Sequence, residues 1–115
     1  MNLVELVYSS RMTAPLSMPE IVDILDNARS NNMRFGVSGM LTFGASRFLQ
    51  AVEGPPDVIQ RLFWKLLEDP RHDHVMVIGY RPITRRRFAE WSMGFYTYGT
   101  DGSICRAMSA SRATA

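Results

Sequence analysis

Apolar residues in this chain switch between two spacings, and the order of the switches limits the fold more than any single residue does. In "LVELVYSSR" (Leu3 to Arg11) Val4, Leu6 and Tyr8 share one side of a strand, while Glu5, Val7 and Ser9 share the other. In "LSMPEIVDILDNARSNN" the spacing becomes helical: Ile21, Ile24, Leu25 and Ala28 form a stripe that Asn32 extends. Ser17 followed by Glu20 predicts a capping box, with Pro19 in the first turn. "FGVSGMLTFGASRFLQAVEG" predicts two strands around Gly44-Ala45-Ser46. "PPDVIQRLFWKLLED" predicts a second helix, with Ile59, Leu62, Phe63 and Leu66 as its stripe and an end before Pro70. "HVMVIGYRPI" and, after the basic "TRRR", "EWSMGFYTYG" predict two more strands.

The resulting order, βαββαβ plus one strand, is that of an α+β ferredoxin-like sandwich with both helices on one sheet face. At 115 residues the chain is expected to be one domain over 1–99, with 100–115 a short tail or the start of a truncated cap. Within the tail, Ile104, Ala107 and Met108 predict one short amphipathic turn. A net charge of +2 is too small to argue for a nucleic-acid footprint. Cys105 is the only cysteine, which rules out an intrachain disulfide and fits a reducing compartment. The start "MNLVELVYSS" has no basic segment ahead of its apolar residues, and no apolar run reaches the length of a membrane span. A cytoplasmic domain without a membrane partner is expected.

Strand parity raises a chemical question at "FLQAVEG". It puts Gln50 on the same face as Phe48 and Val52. An unpaired buried amide costs on the order of 1–3 kcal/mol, so Gln50 needs partners in that layer. Tyr8 and Asn32 are predicted to point into it too, and Trp91, Met93 and Phe95 share one face of the fifth strand. A phenol, two amides and a thioether thus converge between two helices, either as a small satisfied polar network or as a ligand site. In the first case Asn32 merely ends its helix in the left-handed conformation.

With these residues in place, the chain resembles a BLUF domain, a blue-light sensor that binds flavin. The resemblance covers about residues 3–97 and rests on "LVYSSR", "NNMRFGVSGML", "FLQAVEG", "EDPRH" and "RRRFAEWSM" in this order. It implies that Tyr8 donates an electron and a proton to excited flavin and that Gln50 lies between Tyr8 and the ring. It implies that Asn32 and its neighbour Asn31 hold the ring's polar edge, with Ile24, Ala28, Ile59, Leu41 and Phe48 as walls. Met93 and Trp91 then respond when Gln50 changes its bonding, and Lys65, Asp69, Arg71 and His72 contact the ribityl or phosphate part. Many relatives have arginine where this chain has Lys65, and lysine lacks the planar fork for bidentate phosphate binding. FAD is the first expectation, with FMN and riboflavin sharing the same ring. The ring is flat and largely apolar with one amide-like edge. Asn and Gln each offer a donor and an acceptor to such an edge, and turning over or tautomerising the Gln50 amide exchanges the two.

No catalytic turnover is expected of this chain. The signal must then leave by contact with an effector or a second copy, through an outward sheet face bearing Leu3, Val7, Met40, Leu49, Met76, Ile78 and Tyr96. His72 and His74 in "RHDH" are a weak metal signal without a clear third ligand. Arg85-Arg86-Arg87 is read as a solvated turn, and Cys105 as a small buried or tail residue. Two rivals share the fold class. RNA binding on the open sheet needs exposed aromatics, and strand three offers Leu49, Ala51 and Glu53 there. An acylphosphatase-like hydrolase needs a phosphate cradle, and no Gly-rich loop opens the first helix.

Overall fold

A computed structural model describes residues 2–44, 47–90, 93–98 and 104–108, without the side chains of 95–98 and 104–108. The elements are β1 (Leu3–Met12), α1 (Met18–Phe35), β2 (Ser38–Gly44), β3 (Arg47–Gly54), α2 (Pro56–Glu68), β4 (His72–Ile83), β5 (Gly94–Tyr98) and β6 (Ile104–Met108). The strands form one sheet in the order β4-β1-β3-β2-β5-β6. Its first four members are the antiparallel core of the expected ferredoxin-like arrangement, and β5 adds to β2 in parallel.

The local signals act as the sequence predicts. Ser17 Oγ accepts from the Glu20 N–H at 3.3 Å and Glu20 Oε1 accepts from the Ser17 N–H at 3.1 Å, the reciprocal capping box. Pro56 opens α2, where its missing N–H costs nothing. Both helices bury their stripes on the same face of the sheet. Ile21 and Leu25 of α1 and Ile59 of α2 join Val4, Leu6, Tyr8, Leu41, Phe48 and Val52 in one core.

Three expected element boundaries or types are corrected. Helix α1 runs on through Met33-Arg34-Phe35 and ends at Gly36, whose φ of 74° supplies the left-handed cap. Asn32 is therefore helical, and its carbonyl accepts from the Val37 N–H at 2.8 Å. The fifth strand starts at Gly94, opposite Met40, not near Glu90. Met93 thus precedes it, and Trp91 lies outside the described residues. Residues 104–108 form strand β6 against β5, not an amphipathic turn. Pairing satisfies backbone groups along an edge that would otherwise be open.

The late start of β5 has a physical cause. β4 and β5 lie on opposite sides of the β1-β3-β2 core, so the chain between them must cross the sheet. On the face away from the helices a polar row awaits it: Arg81, Glu5, Glu53 and Ser38 are successive cross-strand partners. Arg86 donates to Ser38 Oγ at 2.8 Å and to the Gly36 carbonyl at 2.7 Å. The Arg87 and Phe88 N–H groups donate to Glu53 at 2.9 and 2.7 Å. Within the arginine run, Arg85 and Arg87 keep exposed side chains as a solvated turn would, but Arg86 is partly buried and the backbone is latched to the sheet, and Glu53, which parity aims at solvent, is fully buried.

Candidate functional site

The site is built on a cross-strand row. Gln50 in β3 lies directly opposite Tyr8 in β1 and Leu41 in β2. Tyr8 is buried, and its hydroxyl donates to Gln50 Oε1. The other end of the amide, Nε2, donates to the Met93 thioether sulfur at 3.6 Å. Met93 is 1% exposed, and its carbonyl accepts from Arg29 Nε of α1 at 3.1 Å. Phenol, amide and thioether therefore form one chain. Burial, with a smaller contribution from the Asp69 carboxylate, pushes the Tyr8 phenol up from its ordinary value. It stays protonated at neutral pH and is the donor in its bond to Gln50.

Beside Gln50 a cleft of about 360 Å³ opens between α1 and α2. Ile24 and Ala28 line it from α1, Val58, Leu62 and Leu66 from α2, and Asn31 and Asn32 from the last turns of α1. Asn32 is only 3% exposed. A recess of about 70 Å³ continues it toward Leu41, Phe48 and His72. Lys65, Arg61, Arg71 and Asp69 also line the cleft. Asp69 accepts from the Arg71 N–H at 2.9 Å and from its guanidinium. These bonds hold the Asp69 carboxyl below the usual range and raise Arg71. His72 uses both ring nitrogens within the fold. Its Nε2 meets the Leu66 carbonyl at 3.0 Å, so that nitrogen carries the proton, and its Nδ1 meets Ser10 Oγ at 2.9 Å. His74 pairs with Asp73 at 2.9 Å.

Of the expected site residues, Asn31, Asn32, Ile24, Ala28, Gln50, Lys65, Asp69, Arg71 and Met93 line the cleft. Phe48, Leu41 and His72 line the recess, and Tyr8 stands behind Gln50. One expected wall is wrong: Ile59 is fully buried in the core. Val58, Leu62 and Leu66 take that place. Their signal was present in the sequence, since Leu62 and Leu66 belong to the predicted stripe of this helix and Val58 precedes them at the same four-residue spacing. Arg29 and Arg61 carried no such signal, because a charged residue on a helix face reads as solvated.

The volume falls within the roughly 300–1,000 Å³ range of ligand clefts. Its aliphatic walls suit a flat apolar ring, and the amides at its inner end suit a ring edge that needs both donors and acceptors. The residues present thus fit a flavin. A family model described as "BLUF: Sensors of blue-light using FAD" matches residues 3–94. The photoactivated adenylate cyclase subunit beta of Euglena longa is 34% identical over 93 residues, covering 80% of this chain and 11% of that protein. The chain thus spans only a small part of the length of that relative. Among solved structures, the dark state of BlrB, a BLUF protein, superposes with a TM-score of 0.80 at 36% identity, covering 84% of this chain and 73% of that one. Klebsiella pneumoniae BlrP1 with FMN and cyclic diGMP gives a TM-score of 0.78 at 28% identity, covering 87% of this chain and 28% of that one.

Proposed function

This chain belongs to the BLUF family, blue-light sensors that use flavin, and from that premise we propose how its residues work the sensor. Flavin, when bound, supplies the absorption of blue light and an excited ring that takes up an electron. Asn31, Asn32 and Gln50 would hold the ring's polar edge, and Ile24, Ala28, Val58 and Leu62 would pack its faces. Lys65 and Arg61 would reach the chain beyond the ring. Arg71 would do so only together with Asp69, whose carboxylate already engages it. FAD is our first assignment because the family description names it, and FMN remains the second because BlrP1 carries it.

The observation that carries the mechanism is the Tyr8–Gln50–Met93 chain. Tyr8 is the electron and proton donor, and its hydroxyl proton already points at Gln50 Oε1. Turning the Gln50 amide over exchanges its two ends. The acceptor then faces the Met93 sulfur, which has no N–H or O–H to offer, so this contact is lost or remade elsewhere. A flexible thioether tolerates the change, and Met93 leads directly into β5. The strand is the two-arrangement element that a signal requires. Trp91 is assigned a supporting role in the same response.

Output by contact follows from the same reading, and the chain is read as a sensor and not an enzyme. Leu49 and Met76, both opposite Ser9 on the outward face, are 45% and 59% exposed, and Ile78, at the β4 bulge, is 58% exposed. We assign that face to a second copy or to an effector such as the cyclase domains of the longer relatives, in a cytoplasmic setting. No described helix is long and apolar enough to cross a membrane. The test of the whole reading is an absorption spectrum before and after blue light. A reversible shift to longer wavelength is expected. A colourless preparation that takes up no added flavin refutes it.

A further inference from the structure

Glu53 presents an unexplained expense. It is fully buried on the sheet face away from the cleft, three residues beyond Gln50 on the same strand. A carboxylate taken out of water is costly unless its oxygens are well bonded. Two of its three bonds go to one place. Oε1 accepts from Ser38 Oγ at 2.8 Å and from the Phe88 N–H at 2.7 Å, and Oε2 accepts from the Arg87 N–H at 2.9 Å. The Arg87 side chain is held as well, by Glu5 at 3.5 Å. The carboxylate therefore fixes the backbone of the crossover between β4 and β5.

Five residues after Phe88 comes Met93, the partner of the Gln50 amide. A chain of that length reaches at most about 17 Å. Its far end is fixed too, because Gly94 pairs with Met40. With both ends held, little freedom is left for where Met93 sits. Releasing the Glu53 end restores it.

We propose that Glu53 is a positioning residue of the light response: by latching the crossover at Arg87 and Phe88, it sets where Met93 meets Gln50. This rests on the sensor reading above. It gives the buried carboxylate a task on one face of the sheet whose effect appears on the other.

The test uses the flavin-loaded full chain and Glu53→Gln. Whichever way the new amide turns, an NH2 replaces an oxygen that now accepts an N–H, donor against donor. Flavin content and the light-induced shift are expected to persist, since Glu53 does not line the cleft. Recovery in the dark is expected to be roughly threefold faster or more, because Gln50 reverts against a thioether held less firmly, from the Gly94 and Arg29 side alone. In a Met93→Ala background the same substitution is expected to change recovery by less than about 1.5-fold, the non-additivity of residues acting through one contact. Dark hydrogen exchange at the amides of Arg87, Phe88 and Gly94 should rise in Glu53→Gln. Should that variant not fold, Ser38→Ala removes one bond to Glu53 and one from Arg86 but keeps both crossover N–H bonds to Glu53, and should accelerate recovery in the same direction by less. An unchanged or slower recovery in a folded variant, or effects that multiply with Met93→Ala, overturns the proposal. Absence of flavin or of any light shift in the wild type instead overturns the sensor reading on which it rests.

Discussion

The Tyr8–Gln50 bond makes an unusual stability prediction: removing both partners should do less harm than removing one. In Tyr8→Phe, Gln50 Oε1 loses its donor. Gln50 is only partly buried, so solvent repairs some of the loss and the cost is about 1 kcal/mol. In Gln50→Leu the orphan is the Tyr8 hydroxyl, which is 2% exposed and cannot reach water. That places the cost nearer about 2 kcal/mol, in the upper part of the range for an unsatisfied buried group. The double variant leaves no orphan at this contact, and replacing both partners by apolar groups of similar shape can be nearly neutral. It should therefore be more stable than Gln50→Leu by about 1–2 kcal/mol. For a domain of this size that corresponds to a melting temperature higher by very roughly 4–12 °C. Thermal unfolding of all four proteins should be compared at one saturating flavin concentration, because a ligand bound to the native state shifts stability by mass action. The same samples report the photochemistry. Both single variants should keep the yellow flavin, since its walls are untouched, and lose the light-induced shift. A double variant no more stable than Gln50→Leu would show that the bond does not couple the two residues. A normal light shift in Tyr8→Phe would move the donor elsewhere, with Trp91 the next candidate.

Two further outcomes follow from burial. The Tyr8 phenol is raised in the folded state, so above about pH 10 the unfolded chain loses this proton first. The stability this group contributes is full below that pH and is lost as pH rises toward the folded value, by up to about 1.4 kcal/mol per unit. Unfolding measured from pH 9 to 11 should show the gap between wild type and Tyr8→Phe narrowing, and a constant gap refutes the assignment. On the outward face, sedimentation should show self-association that Met76→Lys together with Ile78→Lys weakens. A wild type that stays monomeric at high concentration, with no protein bound on that face, removes the second copy as the partner.

The sequence by itself determined every element whose signal is local. Alternation in β1 and β3, the Ser17–Glu20 box, and the prolines that open and follow α2 depend on neighbours within a few residues. Each needs only the backbone's own geometry. Parity also put Tyr8 and Gln50 on one face, and the motifs around them indicated flavin. What parity cannot supply is register. That Tyr8 lies directly opposite Gln50, and not two residues along, is decided by how β1 and β3 slide together over a shared core. Local propensity likewise put a helix end near Asn32. Gly36 decided it instead, and so left the Asn32 amide facing the cleft from within the helix. The largest departure is the segment from Arg85 to Met93. Read locally it is a basic turn entering a strand. Only the sheet order reveals that it must cross from one side of the core to the other. Only that crossing explains why Glu53 is buried beneath it, with Arg86 bonded to the sheet and the exposed Arg87 paired with Glu5.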